Sequence, residues 1–145
     1  MKIWFDMDGT IADLYSVEGW LEDLHNESVR PYMQAKVLWN MNKLARLLNK
    51  AQRAGHEIGI ISWTAKSGTP SYNAKVMAAK YWWLDKHLHS VNWDTILVVP
   101  YGTSKIKACG DGILFDDEDH NRAEWGENSA FTPDHIMEIL SGLSA

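Results

Sequence analysis

Two aspartates separated by one residue follow a short apolar run near the start of the chain. The run from Ile3 to Phe5 leads directly into Asp6 and Asp8, which is typical of a buried strand ending in a loop. In an extended segment, residues two positions apart point the same way, so both carboxylates are expected to face one ligand. A carboxylate can attack phosphorus to form an acyl-phosphate, and a neighbouring carboxyl group can protonate the leaving group and then activate water. The spacing therefore favours phosphoryl transfer, with Asp8 suited to the proton-transfer role.

Three further apolar runs predict strands, over residues 57–62, 95–99 and 112–115. They alternate with helical patterns, which implies a parallel sheet covered on both faces. Ligands of such sheets bind beyond the carboxyl ends of the strands. Polar groups suited to one site follow three of the four predicted strands, namely Asp6 and Asp8, Ser62, and Asp116 with Asp117, and Lys105 lies beyond the remaining one.

These residue types together describe a site for a phosphate and a hard metal ion. The carboxylates of Asp116 and Asp117 add oxygen ligands to those of Asp6 and Asp8, the environment that Mg²⁺ prefers. Such a cluster needs a cation, because crowded carboxylates repel one another. Lys105 is suited to neutralising a phosphoryl group.

Three further residues are expected to contact the substrate. Ser62 is suited to donating a hydrogen bond to a phosphoryl oxygen. Gly9 allows a sharp turn that brings backbone N–H groups toward the phosphate, and Thr10 follows it in the same loop.

Each assignment has an alternative. The alternative for Asp6 and Asp8 is a capped turn, in which the carboxylates bond loop N–H groups, but the polar residues after the other strands would then be coincidence. Thr64 replaces Ser62 if the second strand runs further. Lys107 competes with Lys105, which is preferred because it starts a short helix whose N-terminus could face the phosphate.

The order of these motifs resembles the haloacid dehalogenase superfamily of phosphohydrolases. The resemblance rests on Asp6-Met7-Asp8-Gly9-Thr10, on Ser62 after the second strand, on a lysine, and on Asp116-Asp117. It implies an α/β fold with three layers, a doubly wound Rossmann-like parallel sheet of strand order 5-4-1-2-3, with the first strand central. It also implies that Asp6 is the nucleophile and Asp8 the general acid and base. Mg²⁺ would be held by a carboxylate oxygen of Asp6, the backbone carbonyl of Asp8, and Asp116, with Asp117 acting through water.

The helical patterns suggest one domain, residues 1–145, with residues 14–31 as a rudimentary helical lid. Leu14, Val17, Leu21 and Leu24 predict a helix over 14–30 that Pro31 ends. A second helix is predicted from Ala35 to Ala54, and a third from a cap at Ser71 to about His87. Pro133 is predicted to open a last helix. The 53 residues between Asp8 and Ser62 leave no room for an independent cap domain.

Composition narrows the classes of partner. The formal net charge of −5 argues against binding along a nucleic-acid backbone. A single cysteine, Cys109, rules out an internal disulfide and fits a reducing compartment. No run is long enough to span a bilayer, and the N-terminal apolar stretch is too short for a signal peptide. We therefore expect a cytoplasmic protein. A small lid is compatible with a homo-oligomer in which another subunit closes the site.

Three functional hypotheses compete. The first is a small-molecule phosphatase, because the Ile113–Asp117 segment is similar to the 5′(3′)-deoxyribonucleotidase branch and to small phage-type members of the superfamily. That likeness implies a nucleotide, with Trp20, Trp63 or Tyr15 as stacking partners. The second is a 3′- or 5′-phosphatase acting on nucleic-acid ends. The third is a binding or regulatory module that keeps the motifs but turns over weakly.

Overall fold

The computed structural model describes residues 1–143, which form five strands of one sheet, a separate pair of short strands, and helices between them. The elements in chain order are β1 (Lys2–Phe5), β2 (Ala12–Asp13), α1 (Trp20–His25), α2 (Arg30–Gln34), β3 (Lys36–Val37), α3 (Met41–Arg53), β4 (Glu57–Trp63), α4 (Pro70–His87), β5 (Thr95–Val99), α5 (Lys105–Cys109), β6 (Ile113–Phe115), α6 (Asp119–Trp125), β7 (Ala130–Phe131) and α7 (Ile136–Leu143). Two 3₁₀ turns lie at Leu14–Ser16 and Pro133–His135.

The main sheet is parallel throughout and has the order β5-β4-β1-β6-β7. Counting only the strands of this sheet, the order from one edge is 5-4-1-2-3 with β1 at the centre. The predicted α/β fold and its strand order are therefore confirmed. The short antiparallel pair β2–β3 was not predicted, and it accounts for the gaps in the numbering of the main sheet.

The alternation of side chains along β1 divides the core into two layers. Ile3 and Phe5 pack with the buried faces of α3, α4 and α7. Trp4 points to the other face, where it packs with residues of α5 and α6. Helices thus cover both faces of the sheet, as its apolar parallel strands require.

The register of the central strands places the two aspartate motifs side by side. Phe5 is paired with Ile60 of β4 on one side and with Phe115 of β6 on the other. Asp6 and Asp116 therefore leave the sheet at the same level. The backbone N–H of Asp6 donates to the carbonyl of Phe115 at 2.9 Å, which holds the two exits together.

The predicted helix over residues 14–30 is wrong, because the segment is broken twice. Gly19 adopts φ +73° before α1, and Glu27 adopts φ +56° after it; both values lie in the left-handed region that interrupts a helix. Pro31 lies in the first turn of α2 instead of ending a helix. A proline suits that position because its missing N–H would have no helical partner there.

The other predicted helices exist, but two begin elsewhere. The helix expected from Ala35 begins at Met41, capped by Asn40, because Lys36 and Val37 form β3 instead. Thr69, not Ser71, caps α4, and its side chain accepts a hydrogen bond from the Tyr72 N–H. Pro133 opens a 3₁₀ turn that leads into α7. Within residues 1–143, no helix combines the length and hydropathy needed to cross a membrane.

The lid segment, residues 14–31, is fixed against the N-terminal half of α4. Its Leu14 packs in one cluster with Tyr72 and Val76 of that helix. The Tyr72 hydroxyl donates to the carbonyl of Ser28 at 2.7 Å. Glu27 accepts hydrogen bonds from the backbone N–H and the hydroxyl of Thr69, both at 3.0 Å. The small lid is thus held in place by contacts with α4.

Gly59 provides a test of the packing around the centre of the sheet. A Cβ at this position would lie 2.6 Å from a ring carbon of Trp4, its partner in β1. We expect Gly59→Ala to lower the free energy of unfolding by about 1–3 kcal/mol, the usual cost of overpacking, measured by urea denaturation. Gly142→Ala in α7, where a Cβ meets nothing within 4 Å, serves as the control and should be neutral or stabilising. Equal stability of the two variants would contradict the packing described here.

Candidate active site

The loop after β1 is a tight turn that gathers backbone groups around Met7. The N–H groups of Thr10, Ile11 and Ala12 all donate to the Met7 carbonyl at 3.0 Å. Gly9 has φ +82°, and a Cβ there would lie 2.2 Å from Asp117 Oδ2. Glycine is therefore required at position 9 by both conformation and space.

Asp6 lies at the centre of the site and is 7% exposed. Its Oδ1 accepts a hydrogen bond from Lys105 Nζ at 2.9 Å, and its Oδ2 accepts one from the Thr10 hydroxyl at 3.0 Å. Thr10 is fully buried, so its hydroxyl orients Asp6 from behind. This contact with Asp6 differs from the one predicted for Thr10, which was with the substrate and stays a prediction.

Asp116 and Asp117 bring two more carboxylates to Asp6. One oxygen from each of the three residues lies within 4.8 Å of the others. Asp116 is fully buried and accepts from Lys105 Nζ at 2.7 Å and from Asn121 Nδ2 at 3.1 Å. The hard oxygen donors of this group fit Mg²⁺. Asp8, also predicted as a ligand, contributes no carboxylate oxygen to the group.

Of the two candidate lysines, Lys105 is the one in the site. It is 3% exposed, bridges Asp6 and Asp116, and lies 5.2 Å above the Trp63 ring. Lys107, two residues further along α5, is exposed. Lys105 is placed by the start of α5, where Ser104 caps the helix.

A second buried lysine, which the sequence reasoning missed, holds Asp8. Lys80 of α4 is 1% exposed, and its Nζ donates to Asp8 Oδ2 at 2.9 Å. The signal was present in the sequence, because Lys80 occurs at helical spacing with Val76 and Trp83 on the buried face of α4. A charge on an apolar helix face needs a buried partner.

Ser62 is fully buried and lies behind the cavity wall instead of on it. Its hydroxyl oxygen accepts a hydrogen bond from Lys80 Nζ at 2.6 Å. β4 runs to Trp63, one residue beyond the predicted strand end, and the next residue, Thr64, lines the cavity. Of the two candidate hydroxyl residues, Ser62 and Thr64, it is therefore Thr64 that lines the cavity.

The pKa values of the acidic groups reflect their crowding. Burial, followed by the nearby charge of Asp6, raises the pKa of Asp116 to about 6 and that of Asp117 to about 8. Burial also raises the pKa of Asp8, although the Lys80 charge opposes this. Burial lowers the pKa of Lys105, but the charges of Asp6 and Asp116 outweigh that effect and leave it raised. Lys105 therefore stays protonated in the metal-free site.

A cavity of about 580 Å³ opens above these carboxylates. Aromatic side chains form two of its walls. Trp20 meets Tyr15 edge-on at 5.0 Å on the lid side, and Trp63 meets Tyr101 at 4.8 Å on the β4–β5 side. The predicted residues Trp20, Trp63 and Tyr15 thus all line one cavity with Asp6 and Asp8. Its volume suits a small organic ligand.

The fold of the chain is similar to that of a solved phosphatase structure. The crystal structure of D,D-heptose 1,7-bisphosphate phosphatase from Burkholderia thailandensis matches with a TM-score of 0.58, covering 97% of this chain and 96% of that one. The sequence identity is 11%, so the likeness shows a common fold. No protein-family model matches the sequence, and no curated protein sequence matches it.

The raised pKa values predict how stability depends on pH when no metal is bound. Asp116 and Asp117 have pKa values near 3.8 when unfolded, so between pH 4 and pH 8 the folded protein binds more protons than the unfolded chain. Their contribution to the free energy of unfolding therefore falls as pH rises through this range. We expect Asp117→Asn to flatten that fall, most clearly between pH 6 and pH 8, in urea titrations with chelator. The exposed Glu124→Gln serves as the control, and equal slopes in both variants would contradict the assignment.

Proposed function

We propose that this chain is a Mg²⁺-dependent phosphomonoester hydrolase of the haloacid dehalogenase type, acting through an aspartyl-phosphate on Asp6. One observation carries the proposal. Lys105 bridges Asp6 and Asp116, and these two residues form a three-carboxylate group with Asp117. Asp8 lines the same cavity but is hydrogen-bonded to a different lysine, Lys80. The site thus offers a nucleophile beside a cation site and a carboxyl group apart from that site.

Mg²⁺ fits the donor set of the site. Asp6, Asp116 and the backbone carbonyl of Asp8 would hold it, with Asp117 acting through water. Mg²⁺ would neutralise phosphate charge next to the carboxylates. The crowding of Asp6, Asp116 and Asp117 supports this assignment, because a bound cation would offset both the burial and the mutual repulsion of these carboxylates, the two causes that raise the pKa values of Asp116 and Asp117.

The reaction divides between the two aspartates of the first motif. An oxygen of Asp6 attacks phosphorus, and the bond from phosphorus to the leaving oxygen breaks as Asp8 gives that oxygen a proton. Water then attacks the phosphorus of the aspartyl-phosphate while Asp8 takes its proton. Inorganic phosphate leaves, and the Asp6 carboxylate is restored.

Phosphoryl oxygens are stabilised by groups at the cavity wall. Lys105 carries the charge nearest to Asp6, and the Thr64 hydroxyl lines the cavity with no hydrogen bond to another described side chain. The N–H groups predicted to reach the phosphate from the turn at Gly9 donate within the loop instead, to the carbonyls of Met7 and Ala12. We assign the phosphoryl hydrogen bond to Thr64 instead of Ser62, whose hydroxyl oxygen accepts a hydrogen bond from Lys80.

The aromatic walls favour a substrate with a flat leaving group. Trp20 with Tyr15 and Trp63 with Tyr101 flank the approach to Asp6, an arrangement suited to stacking a ring. A nucleoside monophosphate fits this description. The structural neighbour is named for a heptose bisphosphate, so sugar phosphates belong in the same test.

The first experiment measures phosphate release from p-nitrophenyl phosphate with and without Mg²⁺, then from nucleoside monophosphates, sugar phosphates and phosphorylated oligonucleotides. We expect activity that chelator abolishes and a preference for nucleoside monophosphates. Trp20→Ala should raise KM for nucleotides more than for sugar phosphates, because it removes only stacking contacts. A preference for oligonucleotide ends would overturn the substrate assignment. Full activity in chelator would overturn the metal assignment. No turnover of any of these substrates would favour the hypothesis of a binding module over that of an enzyme.

Asp8→Asn separates the roles of the two aspartates. General acid–base catalysis is worth about 10² to 10⁴-fold, so this variant should lose most of its turnover. The rate of the first step should fall less with p-nitrophenyl phosphate, because its leaving group needs little protonation. Hydrolysis of the intermediate should remain slow, so phosphate should accumulate on Asp6 as a mass increase of the intact protein. Asp6→Asn is the control and should show no such increase. Phosphate trapped on another residue would refute the nucleophile assignment.

Thr64→Val tests the phosphoryl hydrogen bond. Valine matches the shape of threonine, so the fold should be unchanged, while kcat should fall by about 10-fold or more through the loss of one transition-state donor. Unaltered kcat for this variant would return the role to Ser62.

A further inference from the structure

Lys80 is an ammonium group enclosed beneath the cavity, in a position that the proposed chemistry does not use. Its Nζ donates to three oxygens: Asp8 Oδ2 at 2.9 Å, Ser62 Oγ at 2.6 Å and the Trp63 carbonyl at 2.7 Å. The face of the Tyr32 ring lies 5.2 Å from the same atom. A lysine ammonium has three N–H groups, so all of its hydrogen bonds are already made.

This saturation separates Lys80 from Lys105. Lys105 lines the cavity beside Asp6, whereas Lys80 is not among the cavity-lining residues and has no N–H left for a ligand. A direct role in binding phosphate is therefore excluded by its hydrogen bonds. Any effect of Lys80 must pass through the groups that it holds.

Of those groups, Asp8 is the one whose orientation matters most. Asp8 Oδ2 is tied to Lys80, and within residues 1–143 no hydrogen bond is made to Oδ1. The Asp8 side chain is 18% exposed and lines the cavity. Lys80 thus anchors one oxygen and leaves the other available to the leaving group and to water.

Ser62 is oriented by the same ammonium. Because Ser62 Oγ accepts from Lys80, its own proton must point away from Nζ. The Trp63 carbonyl bound to Lys80 belongs to the residue before Thr64. One buried charge therefore joins α4, the end of β4 and the loop of Asp8.

We propose that Lys80 is a positioning residue that holds the Asp8 carboxylate in the orientation needed for proton transfer. The inference rests on the proposed phosphohydrolase function. It predicts that loss of Lys80 affects the steps in which Asp8 moves a proton and leaves substrate binding nearly unchanged.

The test compares Lys80→Met with the parent on an alkyl phosphate and on p-nitrophenyl phosphate. Methionine has a similar length but no charge and no donors. We expect kcat/KM, which reports the step that releases the leaving group, to fall by about 10²-fold for the alkyl phosphate and by less than about 10-fold for p-nitrophenyl phosphate, because only the first leaving group needs a proton. kcat should fall to a similar value for both substrates, because hydrolysis of the phosphorylated intermediate is common to them. Competitive inhibition by inorganic phosphate should stay within about threefold of the parent, since substrate binding is unchanged. The phosphorylated form of the variant should also accumulate, visible by intact mass.

Lys75→Met is the matched control, since Lys75 is an exposed lysine of the same helix. It should keep the parent ratio of the two kcat/KM values. A purely structural effect of Lys80 would lower both rates of the Met variant equally, together with its melting temperature, and would overturn the proposal.

Two further outcomes are decisive. If Lys80→Met is not folded by circular dichroism, Lys80→Arg takes its place. A planar guanidinium cannot direct three N–H groups at these three oxygens as an ammonium does, so the rate ratio should still shift, and an unchanged ratio overturns the proposal. A parent protein that hydrolyses no phosphate ester, with or without Mg²⁺, would instead refute the proposed function itself.

Discussion

Four buried or half-buried carboxylates meet at one end of the sheet, and two lysines compensate them. Lys105 lies between Asp6 and Asp116, and Lys80 holds Asp8. With all six groups ionised, the cluster carries a formal charge of −2, which one divalent cation would balance. Burial, followed by the nearby charge of Asp6, raises the pKa of Asp117 to about 8, so the two lysines do not fully offset the crowding of the carboxylates. The local charge balance thus supports the proposed cation site independently of the motif.

The two lysines divide the site into parts with different tasks. Lys105 lies among the carboxylates of the proposed metal site, where charge must be neutralised during phosphoryl transfer. Lys80 donates to Asp8, and its other two hydrogen bonds go to Ser62 and Trp63 instead of the three-carboxylate group. The proposed nucleophile, Asp6, and the proposed acid–base group, Asp8, need different environments, and separate buried lysines would provide them.

The sequence predicted the sheet and its carboxyl edge because those features depend on short-range patterns. An apolar run ending in Asp6, and another ending in Asp116, specify both a strand and its exit. The fifth strand was not located, since Ala130 and Phe131 make too short a run to detect. The helix predicted over residues 14–30 was wrong for another reason. Leu14, Leu21 and Leu24 fit a continuous helix, but Gly19 breaks it through a backbone conformation that periodicity does not register.

Lys80 shows why the contacts of Asp8 could not be predicted from the sequence. Its function depends on contacts with Asp8, 72 residues away along the chain, and no motif spacing records such a distance. α4 makes the contact possible, because it is one helix from Pro70 to His87. Its first turns carry Tyr72, which binds the lid at Ser28, and Lys80 lies about two turns further along. Tyr32 of α2 packs in the same cluster as Tyr72 and also faces the Lys80 ammonium. The helix that holds the segment proposed as a lid is therefore also the helix that bonds Asp8, so α4 places both the aromatic wall of the cavity and the proposed acid–base group.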